Sequence, residues 1–385
     1  MSSFYSLLQK LKQSVTEISP DQAHEMIQDE PETALIDVRE SGEWGDGHAA
    51  GAVHISRGFL ELKIESAFPD KEQPIVLYCA GGTRSLFAAD SLKKLGYRRV
   101  YSIATGYKGW KESGLPTMRP RMLSESERAR YGRHLTIPEV GEEGQAKLID
   151  AKVLMIGAGG LGCPAAFYLA AAGVGTLGIV DFDVVDESNL QRQILHTTER
   201  IGTSKVESAK KTLQGLNPLV NVVTYDTRIS SANVEELFAG YDIIVDGTDN
   251  FPTRYLINDA CVKLRKPNVH GSVFRFEGQV TVFHPGVGPC YRCLYPEPPP
   301  ADLAPSCAEA GVLGVLPGVI GLLEAVETVK IILGRGETLV GRLLCYDALR
   351  TEFRELHLDR DPECSYCADG RTFPGFIDYE QFCRV

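Results

Sequence analysis

The sequence predicts an α/β protein in two parts, a small N-terminal domain and a larger domain with a mainly parallel sheet. Three observations carry this expectation. At 385 residues the chain exceeds one ordinary domain. Short apolar runs of the kind that form buried parallel strands recur, most of them followed by helix-forming stretches. The clearest case opens with Val153-Leu154-Met155-Ile156 and continues through Gly157-Ala158-Gly159-Gly160-Leu161-Gly162 into an Ala-rich segment, residues 165–172. A second run, Leu177-Gly178-Ile179-Val180, then ends on Asp181. Strand, glycine turn, helix, strand and terminal acid form the layout of a βαβ nucleotide site.

Taken in order, the elements begin with Ser19-Pro20-Asp21, a helix start running through Ile27. Ala34-Leu35-Ile36-Asp37-Val38 and Ile75-Val76-Leu77-Tyr78 read as buried strands. The second delivers Cys79 into Cys79-Ala80-Gly81-Gly82-Thr83-Arg84-Ser85, and a helix over 85–95 closes at Gly96 before a strand at 100–103. A thiol on a glycine loop entering a helix N-terminus, with Arg84 close by, is favoured as the nucleophilic thiolate. Residues 115–121 carry two prolines and two arginines without apolar periodicity and read as a linker.

Ser124 to Glu127 has the spacing of a capping box, so a helix is expected through Arg133 and His134. Residues 151–247 alternate strand and helix, with Ile243-Ile244-Val245 a further strand ending near Asp249 and Asn250. Residues 269–283 alternate around Glu277-Gly278, as a hairpin does, and residues 317–333 read as a helix ended by Gly334.

A G-x-G-x-x-G turn alone also suits a dinucleotide site, and hence a NAD-dependent oxidoreductase. The residues after Asp181 argue against that. Ser188-Asn189-Leu190-Gln191-Arg192-Gln193 and Lys205 gather polar and positive groups suited to the terminal phosphates of a nucleoside triphosphate. Gly159 and Gly160 let the backbone approach phosphate, and Asp181 can bond ribose hydroxyls.

Cys290-x-x-Cys293 and Cys364-x-x-Cys367 are two knuckles, each able to give two thiolates to one tetrahedral Zn²⁺; with all four places filled by sulfur, such a zinc is structural. Ten cysteines without a signal-like start suggest a reducing, cytoplasmic setting. A net charge of −11 without a Lys/Arg run argues against nucleic acid or an anionic membrane as partner. The most apolar run, residues 312–323, is too short to span a bilayer.

The pieces GAGGLG, DFDVVDESNLQRQ, GTSKVESAK and DGTDN together resemble the MoeB/ThiF adenylyltransferases, relatives of the ubiquitin-activating enzymes. The pieces LIDVRESGEWGDGHAAGAVHIS, YCAGGTRS and TGYKGWKESGLP resemble a rhodanese domain. The resemblance implies a Rossmann-like adenylation domain with mixed sheet and structural zinc (residues 124–385), a linker (119–123) and a small α/β rhodanese domain (1–118). It implies ATP and Mg²⁺ as well as Zn²⁺, with Asp249 on the magnesium and Arg133 reaching a partner subunit's nucleotide site in a homodimer. Cys79 would carry a persulfide, and the short Cys79–Arg84 spacing suits sulfur transfer better than phosphate hydrolysis. Cys307 would sit on a crossing loop where some relatives form a covalent link to the carrier and others do not need the cysteine. The partner implied is a small ubiquitin-like sulfur carrier ending in Gly-Gly, with a cysteine desulfurase or thiosulfate as sulfur donor. The molybdopterin synthase small subunit is the leading carrier; a thiamine or tRNA-thiolation carrier is the alternative. A non-catalytic module is disfavoured because Cys79, Arg192, Lys205 and Asp249 are all retained.

Overall fold

The computed structural model describes residues 3–119, 121–299 and 311–383. The chain divides into two compact units, Met1–Met122 and Leu123–Val385.

The first unit holds a five-stranded parallel sheet. In chain order its strands are β1 (Thr16–Ile18), β2 (Ala34–Asp37), β4 (Val53–His54), β5 (Ile75–Tyr78) and β6 (Val100–Ile103), arranged β1-β6-β5-β2-β4. β2 and β5 are buried along their whole length, which is why they read as unbroken apolar runs. The helix Pro20–Asp29 starts where the sequence placed it and closes a capping box as well: Ser19 Oγ accepts from the Gln22 N–H and Gln22 Oε1 from the Ser19 N–H. A short antiparallel pair joins β3 (His48–Ala49) to β7 (Thr117–Met118). Residues 115–118 are therefore not free linker. The Ala50 N–H and the Trp110 indole both donate to Pro116 O, stitching this stretch into the first unit.

The second unit is built on an eight-stranded mixed sheet. Its strands are β8 (Lys152–Ile156), β9 (Thr176–Asp181), β10 (Asn221–Asp226), β11 (Ile243–Asp246), β12 (Asn268–Phe274), β13 (Glu277–Phe283), β14 (Arg342–Asp347) and β15 (Glu352–His357). The order is β10-β9-β8-β11-β12-β13-β14-β15; pairing is parallel as far as β12 and antiparallel beyond it. The helices Gly162–Ala172 and Leu316–Leu333 pack in the core on one face, and Phe251–Leu264 in that on the other. Leu316–Leu333 stops at Gly334, at φ 62°.

One turn lies elsewhere than expected. Phe274 pairs with Glu277, so the β12–β13 turn is Arg275-Phe276, and Gly278 is inside β13. Gly278 answers to packing: a Cβ there would lie 2.4 Å from Ile320 Cδ1.

Candidate functional site

Strands β8, β9 and β11 run parallel, so their carboxyl ends share one edge of the sheet, the edge where open α/β sheets bind ligands. The glycine turn leaves β8 there. Gly162 starts the next helix so close to the turn that a Cβ would fall 2.0 Å from Gly157 O. Only glycine permits that approach, and it leaves the floor of the edge as bare backbone.

A cavity of ≈ 190 Å³ opens on this edge. Gly159, Gly160, Asp181, Arg192, Lys205, Asp249 and Asn250 all line it. Ser188, Asn189, Leu190 and Gln191 do not. They make a short turn, Glu187–Asn189 and the residues after it, whose backbone holds Arg192: the N–H groups of Arg192 and Gln193 donate to Asn189 O at 3.1 and 3.0 Å. Arg192 Nη1 donates to Ser188 O at 3.2 Å. Arg133 lies on the helix Glu125–Leu135 and is not among the cavity's lining residues. Cys307 lies outside the described residues.

Asp181 is fixed before any ligand arrives, its carboxylate accepting from the Ala158 N–H at 2.8 Å and the Asp183 N–H at 2.9 Å. Lys205 Nζ donates to Asp183 Oδ2 at 2.7 Å. Asn250 caps the helix Phe251–Leu264, its Oδ1 accepting from the Thr253 N–H at 3.0 Å. Asp183, Phe182, Gln193, Thr248 and Arg228 also line the cavity, and the Arg228 guanidinium stands 4.9 Å over the Phe182 ring. Arg228 lies just past β10, far from the glycine turn in sequence, and no local pattern marks it.

The strand that leads to Asp249 carries a buried polar set. Asp246 Oδ2 accepts from His270 Nδ1 at 2.8 Å, and Asp246 Oδ1 from Thr248 Oγ1 at 2.6 Å. Burial alone would raise the Asp246 carboxyl, but the bond from His270 and the nearby Arg254 charge outweigh it and hold it below the usual range. Burial keeps His270 neutral, its value lowered despite that aspartate. Glu324, 0% exposed, lies against Gly271, and burial pushes its carboxyl well above the usual range.

In the first unit, Cys79 comes directly after β5 and is buried. The loop after it turns at Gly82, where φ is 91° and a Cβ would sit 2.0 Å from Ala104 O. The N–H groups of Tyr107 and Lys108, from the Gly-Tyr-Lys-Gly-Trp segment, donate to Cys79 O and Ala80 O at 2.7 and 3.1 Å and brace the loop from behind. Ser85 Oγ receives from Ser102 Oγ at 2.9 Å and stands 3.7 Å from Cys79 Sγ. Arg84 is not the bare cation the sequence suggested. Glu43 accepts two hydrogen bonds from it, an ion pair that bridges 41 residues.

The two knuckles converge. The sulfurs of Cys290, Cys293, Cys364 and Cys367 all lie within 4.8 Å of one another, with separations of 3.8 Å (Cys290–Cys364), 3.9 Å (Cys290–Cys293) and 3.4 Å (Cys293–Cys367). Tetrahedral sulfur ligands at about 2.3 Å from zinc stand about 3.8 Å apart, so the set fits that ion. Beside it, Arg292 makes a buried two-toothed pair with Asp259, both bonds 2.8 Å, and Tyr379 Oη donates to Asp259 Oδ2 at 2.8 Å. Of the remaining cysteines, Cys163 and Cys261 are buried in the core, whereas Cys345 on β14 is only partly buried.

The model of the ThiF family matches residues 131–366, more than half of the chain, and that of the Rhodanese-like domain matches residues 19–113. The chain belongs to the ThiF family. A protein of Thermus thermophilus named sulfur carrier protein adenylyltransferase is 52% identical over 267 residues, 68% of this chain and 98% of that protein. The probable adenylyltransferase/sulfurtransferase MoeZ of Mycobacterium tuberculosis is also 52% identical, over 68% of this chain and 67% of its own length. The adenylyltransferase and sulfurtransferase MOCS3 of Culex quinquefasciatus is 51% identical, but the match spans 60% of that protein. Among solved structures, E. coli MccB with AMPCPP and MccA superposes with a TM-score of 0.57 at 20% identity, over 69% of this chain and 86% of that one, a likeness of fold. No helix among the described residues is long and apolar enough to cross a membrane.

Proposed function

We propose that the second unit uses MgATP to adenylate the C-terminal glycine of a small ubiquitin-like sulfur carrier, and that the first unit supplies sulfur to the activated carboxylate. The observation that carries this reading is the convergence of Gly159, Gly160, Asp181, Arg192, Lys205 and Asp249 on one cavity. The carrier carboxylate attacks the α-phosphate and pyrophosphate leaves. Asp181 takes the ribose hydroxyls, and the bare backbone of Gly159 and Gly160 admits the phosphates. Arg192 and Lys205, joined by Arg133 from a second subunit in a homodimer, compensate the charge that grows on the leaving group. Asp249, exposed past β11, is the Mg²⁺ ligand. Asn189 acts through the turn that aims Arg192.

Cys79 then carries the sulfur. The outer sulfur of its persulfide attacks the acyl carbon and AMP leaves, giving an acyl disulfide. An external thiol then attacks the Cys79 sulfur and forms a disulfide with it, and the thiocarboxylate leaves on the carrier with the bonding pair. The four knuckle cysteines hold a structural Zn²⁺. The molybdopterin synthase small subunit is the leading carrier, with the thiamine and tRNA-thiolation carriers next. The test is ATP–pyrophosphate exchange with each purified Gly-Gly carrier: exchange that depends on one of them supports the reading, and no exchange with any of them removes it.

A further inference from the structure

The Cys79 loop, residues 79–85, contributes a single cation, Arg84. Glu43 holds it with both carboxylate oxygens, Nη1 donating to Oε2 and Nη2 to Oε1, each at 2.7 Å. Glu43 sits on the short helix Ser41–Gly45, and its Oε2 also accepts from the Glu40 N–H at 3.2 Å, so the carboxylate is anchored on its own element as well. The hydrogen bonds from Arg84 hold the Glu43 carboxyl down at about 2. The loop therefore presents a neutral ion pair beside a buried sulfur.

That matters for the donor. Thiosulfate is a dianion and must settle next to the Cys79 thiolate, which uncommitted positive charge would ease beyond what the backbone N–H groups at the helix start can do. A dianion there meets a guanidinium whose two charge-assisted bonds already go to Glu43, and it faces that carboxylate as well. A persulfide carried on a thiol brings at most one charge at its reacting end.

Resting on the reading of Cys79 as a sulfur carrier, we propose that Glu43 selects the donor: by neutralising Arg84 it disfavours thiosulfate and favours a thiol-bound persulfide. In the step itself the Cys79 thiolate attacks the outer sulfur of R–S–S–H. The donor S–S bond breaks, R–S⁻ leaves with the bonding pair, and the outer sulfur passes to Cys79 with its proton. No oxidant or reductant enters.

The test uses the full reduced chain with either thiosulfate or glutathione persulfide, following the gain of one sulfur atom at Cys79 by mass spectrometry against time. Wild type is expected to load faster from the persulfide, and Glu43→Gln to raise the thiosulfate-to-persulfide rate ratio about tenfold. A general loss of folding would lower both rates and leave the ratio alone. An unchanged ratio in a folded variant overturns the inference, as does a wild type that prefers thiosulfate; the wild-type ranking decides if the variant fails to fold. Loading from neither donor removes the reading of Cys79 itself, and the inference with it.

Discussion

Lys205 Nζ lies 2.7 Å from Asp183 Oδ2, the lysine side chain 7% exposed and the aspartate 50%. The lysine enters from the start of the helix Lys205–Leu216 and the aspartate from just past β9, so two elements converge to aim one ammonium at the cavity. In the proposed reaction an incoming triphosphate would compete with Asp183 for a cation that is already oriented, which would save the ordering a free lysine requires.

Lys205→Met and Arg192→Ala are accordingly expected to lower carrier-dependent ATP–pyrophosphate exchange by about 10²–10³-fold each, the range for losing one preorganised charge at a developing anion. Exchange at the wild-type rate in either variant would remove that residue from the phosphate site.

Cys79→Ala is expected to leave exchange intact and to end thiocarboxylate formation, because the thiol is not among the residues lining the cavity of Gly159, Arg192 and Lys205. Thiocarboxylate appearing at the wild-type rate, read from the carrier's mass, would make the first unit a passenger.

One tightly held zinc per chain is expected by metal analysis of reduced protein, and Cys364→Ser is expected to release it and cost about 4 kcal/mol or more of unfolding free energy. A zinc-free preparation with unaltered stability would sink this assignment.

Glu324 gives a pH prediction. Folded, it keeps a proton that the unfolded chain releases above the ordinary carboxyl value. The unfolded state thus binds fewer protons, and this residue's contribution falls as pH rises from that value toward the folded one. His270 acts with the opposite sign: folded it stays neutral, unfolded it takes a proton below its ordinary value, so stability drops as pH falls through that range. Glu324→Gln removes the first effect only. Urea unfolding tracked by circular dichroism should show the variant gaining on wild type between pH ~5 and ~8. A difference that stays flat with pH would contradict the protonated-acid assignment.

How far the sequence reached can be judged residue by residue. β2, β5, β8 and β11 were legible because a strand covered on both faces is almost wholly apolar. β15, Glu352–His357, was not, since it is exposed along its whole length and its charged residues break any apolar run. Gly278 looked like a turn because glycine marks turns more often than it marks a helix pressed against a strand. The knuckles were legible from spacing alone, whereas Glu43 was not: what it does depends on an arginine 41 residues away, and only the folded chain joins them.

Arg292 stands one residue before the knuckle cysteine Cys293 and holds Asp259, which in turn holds Tyr379 on the short helix Tyr379–Phe382. The rings of Tyr366 and Phe382 close over its guanidinium at 4.1 and 5.0 Å. With zinc in the knuckles as proposed, this network would couple metal loss to unravelling of the helix Tyr379–Phe382. A chelator should open protease cleavage sites near Tyr379, and trimming the last helix should quicken zinc exchange, because Arg292, next to Cys293, and Tyr379, on the last helix, share the one buried Asp259 carboxylate.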